Sequence, residues 1–400
     1  MSPAALRRET PAVEAAAPSF AALRGRSLLV GVAGFVALLA GGLLDPPQFY
    51  RSYLIGYSLW LGIALGCLGI LMLQHLSGGA WGVVLRRLLE AAAMTLPFLF
   101  VLFTPLLSGL RRLYPWADEK LVAADPILRH KSAYLNPVGF TLRAVVYFAI
   151  WSALAIVLNR WSDRQDRTGD PLLVDRLAKL SGAGIALYVL AMTFASVDWM
   201  MSLEPHWFST LYGLLVVMGQ ALSALAFAIL VLASLAARPP LRGRIGPRHF
   251  HDLGKLLLAF VMVWTYFAFS QFLIIWAGNL PEEIPWYLKR LTGGWQWFGL
   301  ALAVFQFAFP FVLLLSMRLK RNPRRLAQVA GLLLLTRLLD VAWTIAPAFH
   351  PGRLAIHWMD LAAPVAVGGI WLALFLRFLE RKPLLPLGDP FLKESIDDAR

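Results

Sequence analysis

The sequence predicts an all-α polytopic membrane protein of about ten transmembrane helices, and three observations predict it. Hydrophobic residues make up 59% of the 400 residues and charged residues 15%, against about 45–50% and about 25% in a soluble domain. The apolar residues fall into ten runs, each close to the roughly 20 residues that cross a bilayer as a helix. Cations gather in alternate connections between those runs, as they do in multi-pass proteins. So apolar a chain cannot bury its surface in one water-soluble globule, which excludes the disordered, fibrous and ordinary cytosolic classes. The formal charge of +14 therefore points to membrane topology, and no nucleic-acid partner is expected. A single cysteine, Cys67, excludes a disulfide framework, a multi-cysteine zinc site and a cysteine-ligated iron–sulfur cluster held by this chain alone.

Residues 1–26 are rich in Ala and Pro, carry Arg7, Arg8, Arg24 and Arg26, and read as a disordered cytoplasmic tail. Span 1 (27–44) starts late, and Leu44-Asp45-Pro46-Pro47 is not a small-residue cleavage site, so it reads as a retained helix. Spans 2 to 10 follow at 53–73, 88–107, 138–158, 180–197, 211–236, 254–276, 295–317, 326–345 and 361–379. Helices, rather than strands, satisfy every backbone group inside lipid. Pro97, Pro105 and Pro310 are expected to kink spans 3 and 8. Residues 27–379 thus form one integral membrane domain, and 380–400 a cytoplasmic C-terminal tail. With charges at span edges counted in the adjoining loops, 26 Lys and Arg lie on the side of the termini and 9 on the other, Arg143 and Arg337 being inside spans. That bias places both termini in the cytoplasm.

This orientation puts Asp198, Glu204, His206, Glu282, Glu283, His350, His357 and Asp360 on the outer side, with Trp199, Trp207 and other aromatics. The stretch Ser196–Gly213 joins spans 5 and 6 in too few residues for a domain, yet packs two acids, a histidine and two tryptophans into the interface. One reading is an interfacial turn, with Trp in the aromatic belt and the acids as helix-end caps. The other is a polar site for a proton-carrying headgroup or a docking partner, in which His206 with Glu204 or Asp198 relays a proton. Arg337 and Asp340 are three residues apart on span 9 and can pair across one face. Pairing lowers the roughly 2.5–3.5 kcal/mol that a charge costs at mid-bilayer on insertion scales. Arg143, Asp198, Arg337 and Asp340 could meet in the outer half, either as helix-binding ion pairs or as a ligand pocket. Towards the inner side, Glu90 is the expected partner of Arg86 and Arg87, and no continuous row of protonatable groups crosses the membrane. None of the seven histidines sits mid-span, which disfavours a haem clamped between helices. No metal-ligand spacing, nucleotide loop or catalytic residue is identified.

The stretch Ser196-Val-Asp-Trp-Met-Met-Ser-Leu-Glu-Pro-His-Trp-Phe-Ser-Thr-Leu-Tyr-Gly213 resembles the signature of one family. It is similar to the F subunit of bacterial alternative complex III, the second NrfD-like membrane subunit of that quinol:electron-acceptor oxidoreductase. The span count and orientation agree, as do Leu280-Pro-Glu-Glu-Ile-Pro-Trp-Tyr287 and the segment from His350-Pro351 to His357-Trp-Met-Asp360. The resemblance implies two four-helix bundles plus peripheral helices in a bacterial inner membrane. It implies a homologous NrfD-like membrane subunit, a periplasmic iron–sulfur subunit and c-type cytochrome subunits as partners; lipids are the partners expected from the basic cytoplasmic loops themselves, such as Arg-Leu-Lys-Arg-Asn-Pro-Arg-Arg at 318–325. It implies no cofactor held by this chain alone except a quinone or menaquinone. Carried onto these residues, the quinone or proton candidates are Asp198, Glu204 and His206, then Arg337, Asp340 and Arg143. The partner-docking candidates are Trp199, Trp207, Glu282, Glu283, His350, His357 and Asp360. Two rivals belong to other classes. A secondary transporter of an anionic or protonated solute would show internal symmetry and broken helices near mid-membrane. A membrane-embedded transferase or hydrolase would use His206 and Glu204 as acid and base, but no nucleophile accompanies them.

Overall fold

The computed structural model describes residues 19–397; the expected N-terminal tail lies outside the described residues up to position 18. Among the described residues there is no strand, and ten helices are long and apolar enough to span a membrane. They are α1 Ala21–Leu44, α2 Pro46–Ser77, α3 Arg86–Ser108, α4 Pro137–Thr168, α5 Leu172–Trp199, α6 Tyr212–Leu235, α7 Pro247–Gly278, α8 Trp295–Leu315, α9 Pro323–Ile345 and α10 Trp358–Leu379. With ten passes, the start of α1 and the end of α10 share one end of the molecule. Phe20 and Arg24 both bond Glu380 there. We call it the terminal end and its opposite the distal end.

Most helices outrun their apolar stretches. The first turn of α4 is set by Asn136, which accepts from the Gly139 N–H at 2.7 Å ahead of Pro137, and α9 starts likewise with Asn322 before Pro323. An Asx cap followed by proline is a strong helix start. Residues 21–26, expected in the tail, belong to α1 for the related reason that a helix continues through polar residues once nucleated. α4 likewise runs through the expected loop as far as Thr168 and turns on Gly169 at φ 64°. Irregular turns fall beside Pro97 and Pro310, whereas Pro105 lies within the continuous helical piece Leu96–Ser108. α3 is interrupted at Met94–Thr95, just before Pro97. α8 adopts π-helical turns over Ala303–Ala308, before Pro310 removes a backbone donor.

Helices α2 to α5 close one four-helix bundle, each packing on its neighbours, and α6 to α9 close a second. α2 and α6 meet between the bundles, and α10 with α1 flanks α2. α2 is accordingly the most buried helix. Its approach to α6 depends on Gly66, where a Cβ would lie 2.1 Å from the Gln220 carbonyl oxygen.

At the terminal end the C-terminal segment is not a free tail. It folds back under both bundles and buries Leu384, Leu385 and Leu392. Asp389 accepts from Arg86 at 2.6 Å, and Ser395 bonds His249 of α7 at 3.1 Å. Glu90 pairs with Arg86 at 3.1 Å and with Arg87 at 2.6 Å, as their spacing on one helix predicts.

Gly66→Val should lower the thermal unfolding midpoint in detergent, equivalent to about 1–3 kcal/mol of overpacking. Gly62→Ala should leave it unchanged, because the nearest atom to its added Cβ, Gln220 Cγ, is 3.4 Å away. Equal effects of the two would contradict the α2–α6 contact.

Candidate functional site

The distal connection between α5 and α6 has the residues to be a site, and the structure divides them among three settings. The last turn of α5 carries Asp198 into the first bundle, where it is fully buried. Arg143 of α4 meets it side-on, Nε to Oδ2 at 2.9 Å and Nη2 to Oδ1 at 2.8 Å. The Tyr147 hydroxyl donates to Oδ2 at 2.9 Å. The remaining Arg143 donor reaches the Tyr134 carbonyl at 2.9 Å, and its guanidinium lies 3.8 Å from the centre of the Tyr134 ring. Two parallel N–H donors on a planar carboxylate make the strongest ion-pair geometry available to a protein. Asp198 therefore fastens α5 to α4.

Glu204 lies past a 3₁₀ turn (Met201–Leu203) and belongs to the second bundle. Its Oε1 accepts from Arg290 at 2.9 Å and its Oε2 from Lys289 at 2.6 Å. Both cations come from the short helix Ile284–Arg290 that follows α7. Arg290 is buried, donates to the Trp286 and Thr344 carbonyls at 2.9 and 2.7 Å, and lies 3.7 Å from the centre of the Trp286 ring. Burial lowers its pKa, and Glu204 opposes that shift. Trp207 stacks on Trp286 at 4.7 Å, and Trp286 meets Trp343 edge-on at 5.6 Å. The connection thus plugs into each bundle through one carboxylate.

His206 joins neither acid. It is half exposed and donates from Nε2 to Asp125 at 2.7 Å. Asp125 also accepts from the Ile127 and Leu128 N–H groups. Desolvation pushes the Asp125 carboxyl up, but the two backbone donors and His206 outweigh it and hold it below its ordinary value. The expected relay of His206 with Glu204 or Asp198 is therefore corrected: both acids are saturated by guanidinium and ammonium donors, and the histidine faces a third acid on another loop.

Arg337 and Asp340 pair within α9, Nη1 donating to Oδ2, and both are buried. The guanidinium fits because Gly219 faces it; a Cβ there would lie 2.2 Å from Nη1. This pair does not join Arg143 and Asp198, which sit in the other bundle, so the expected meeting of all four is corrected as well. Beside Arg337 and Asp340 lies a cavity of about 20 Å³, walled by Met200, Tyr212, Val216 and Thr344 among others. Such a volume holds about one water molecule. Of the glutamines within spans, Gln220 links two helices by accepting from the Tyr188 hydroxyl at 2.7 Å, and Gln271 accepts from Ser209 of the α5–α6 connection at 3.1 Å.

The docking candidates separate by burial. Trp199 is enclosed among Phe103, Phe148 and Trp151, and Trp207 is buried against Trp286, so neither can meet a partner. His357 and Asp360 form the cap of α10: Asp360 Oδ2 accepts from the His357 N–H at 2.8 Å, and Oδ1 from Ser52 at 2.6 Å. His350 is half-buried, and its carbonyl receives the Trp295 N–H at 3.1 Å. Burial is the main cause that lowers its imidazole pKa, followed by the charge of Arg51. Glu283 is half-buried at the start of its helix, and Glu282 is exposed. Sequence reasoning missed Arg290, Lys289 and Asp125. The only signal for the first two was their place as adjacent cations in a distal loop otherwise free of Lys and Arg.

Among the described residues no cluster of three His, Cys, Asp or Glu is placed to hold a metal. The chain matches no known family model and no curated protein sequence.

Asp198→Asn should destabilise the purified protein by about 3 kcal/mol, the usual cost of leaving one member of a buried pair alone. His206→Ala should stay within about 0.5 kcal/mol, as exposed substitutions do. Thermal unfolding of both variants checks this, and a larger loss for His206→Ala would reverse the assignment.

Proposed function

We propose that the chain is a non-haem membrane subunit of a quinol-oxidising respiratory complex, similar to the F subunit of alternative complex III. Its distal end faces the periplasm and holds iron–sulfur and c-haem subunits there. The observation that carries this reading is the stretch Ser196–Gly213. It bears the resemblance, and it is also the piece that locks both bundles together at that end, through Asp198 and Glu204. A rigid, ion-paired connection is what a platform for other subunits requires.

The surrounding loops support the same reading. Leu288, Leu291 and Ile356 are exposed on segments joined by the Leu354 N–H to Gly293 carbonyl bond at 2.7 Å. Apolar side chains exposed beside a polar rim mark interaction surfaces. Glu282, on the same loop, is the acidic docking residue that stays exposed. The two-bundle architecture is the one the resemblance implies. A quinone or menaquinone at Arg337 and Asp340 is the part of the proposal that the geometry supports least, because the cavity of about 20 Å³ beside them is far smaller than a quinone ring.

Two experiments test the proposal. Mild solubilisation from the native membrane should recover the protein with c-type haem and iron–sulfur absorbance. Recovery as a lone monomer without redox absorbance, with solute uptake by the chain in liposomes, would favour a transporter instead. Since Cys67 is buried, single cysteines can report orientation. Glu282→Cys should react with an impermeant maleimide in intact spheroplasts, and Arg242→Cys only after permeabilisation. The opposite pattern would overturn the periplasmic assignment.

A further inference from the structure

A second cavity lies at the opposite end from the proposed platform. It measures about 720 Å³ and opens between α3, α4 and the turn after α10, within the ~300–1,000 Å³ usual for small-molecule sites. Its wall has two chemistries. Arg87, Arg160, Arg167, Arg381 and Lys382 line it with only two carboxylates, Asp163 and Asp166. Those carboxylates are committed: Asp166 accepts from Arg87, and Asp163 from Lys382 at 2.6 Å. Glu90, behind the wall, accepts from Arg87 at 2.6 Å and from Lys382 at 3.3 Å. Arg160, Arg167 and Arg381 form no ion pair with the described residues. Arg160 and Arg167 are seven residues apart, hence on one face of α4, and Arg381 rests on the Phe378 ring at 5.2 Å.

The other wall is apolar, built by Ala91, Met94, Ile156, Phe378, Leu379 and Leu387. It continues along α3 into the membrane. Met94 lines the cavity at the α3 interruption, Phe98 and Val101 lie three residues apart on the helical piece beyond it, Phe98 packs on Phe378 at 5.9 Å, and Phe98 and Val101 are 45% and 63% exposed. A strip of uncovered hydrocarbon-facing side chains thus leads away from a cup of unpaired guanidinium groups.

We propose that this cavity is a binding site for an anionic phospholipid, with its headgroup phosphate between Arg160, Arg167 and Arg381 and an acyl chain along Met94, Phe98 and Val101. Guanidinium matches phosphate as a two-point donor. A free phosphate would use the cations and leave the apolar strip unexplained, whereas a lipid uses both. The paired set of Arg87, Glu90, Asp166 and Lys382 holds the floor rigid, so the three free arginines surround a preformed space. The positive charge at this end marks it as the cytoplasmic leaflet, where anionic lipids attract basic groups.

The test uses the full-length protein, delipidated in detergent, with lipid binding read by native mass spectrometry. The probes are phosphatidylglycerol, phosphatidylcholine of the same acyl chains, and inorganic phosphate. Phosphatidylglycerol should bind and phosphatidylcholine should not. Arg160→Gln with Arg167→Gln should weaken that binding by roughly thirtyfold, from about 1 kcal/mol per cation, and Arg381→Gln alone by roughly fivefold. Arg160→Lys with Arg167→Lys should retain most of it. Arg318→Gln with Arg324→Gln removes the same charge from exposed positions at the same end and should change nothing. Equal binding of the two lipids, equal loss in the Arg318/Arg324 variant, or displacement of phosphatidylglycerol by an equal concentration of inorganic phosphate would each overturn the proposal.

Discussion

The structure depends on one constraint: a carboxylate enclosed in a hydrocarbon-embedded bundle must be met by a cation. Water cannot solvate it there, and an uncompensated charge costs several kcal/mol. Asp198, Glu204, Asp340 and Glu90 all obey it, each touching an arginine. The first two sit on opposite sides of one short connection and pair into different bundles. That single segment therefore fixes the relation between the bundles at the distal end, as Gly66 does deeper inside and the folded-back C-terminal segment does at the terminal end.

The two ends use charge differently. At the distal end the acids that link the bundles, Asp198 and Glu204, are neutralised locally by Arg143 and Arg290, which also contact a tyrosine and a tryptophan ring, and exposed leucines lie nearby. At the terminal end the acids neutralise only part of the positive charge, and guanidinium groups are left over around a cavity. Proteins hold partners with the first kind of surface and anionic lipid with the second. The proposed subunit, with redox partners on one side and an anionic lipid on the other, would use both.

The membrane fold, the ten spans and the Glu90 partnership were legible in the sequence, because hydropathy and the i,i+3 and i,i+4 spacings are local properties. The pairings that define the site were not. Asp198 meets Arg143 across 55 positions and His206 meets Asp125 across 81, and spacing along the chain says nothing about either. Trp199 and Trp207 looked like interface residues because tryptophan is common at membrane boundaries, yet their rings fill the tops of the two bundles. Helix limits were underestimated where hydropathy faded before the helix did, although Asn136-Pro137 and Asn322-Pro323 announce two true starts.

The claim that the distal acids are architectural is tested most directly by a double-mutant cycle on Glu204 and Arg290. Unfolding midpoints are compared for Glu204→Gln, Arg290→Gln and the pair together. An architectural pair predicts that each single variant is strongly destabilised and that the double variant loses much less than their sum. Additive losses, or a Glu204→Gln variant as stable as the parent but impaired in proton-coupled turnover, would contradict it.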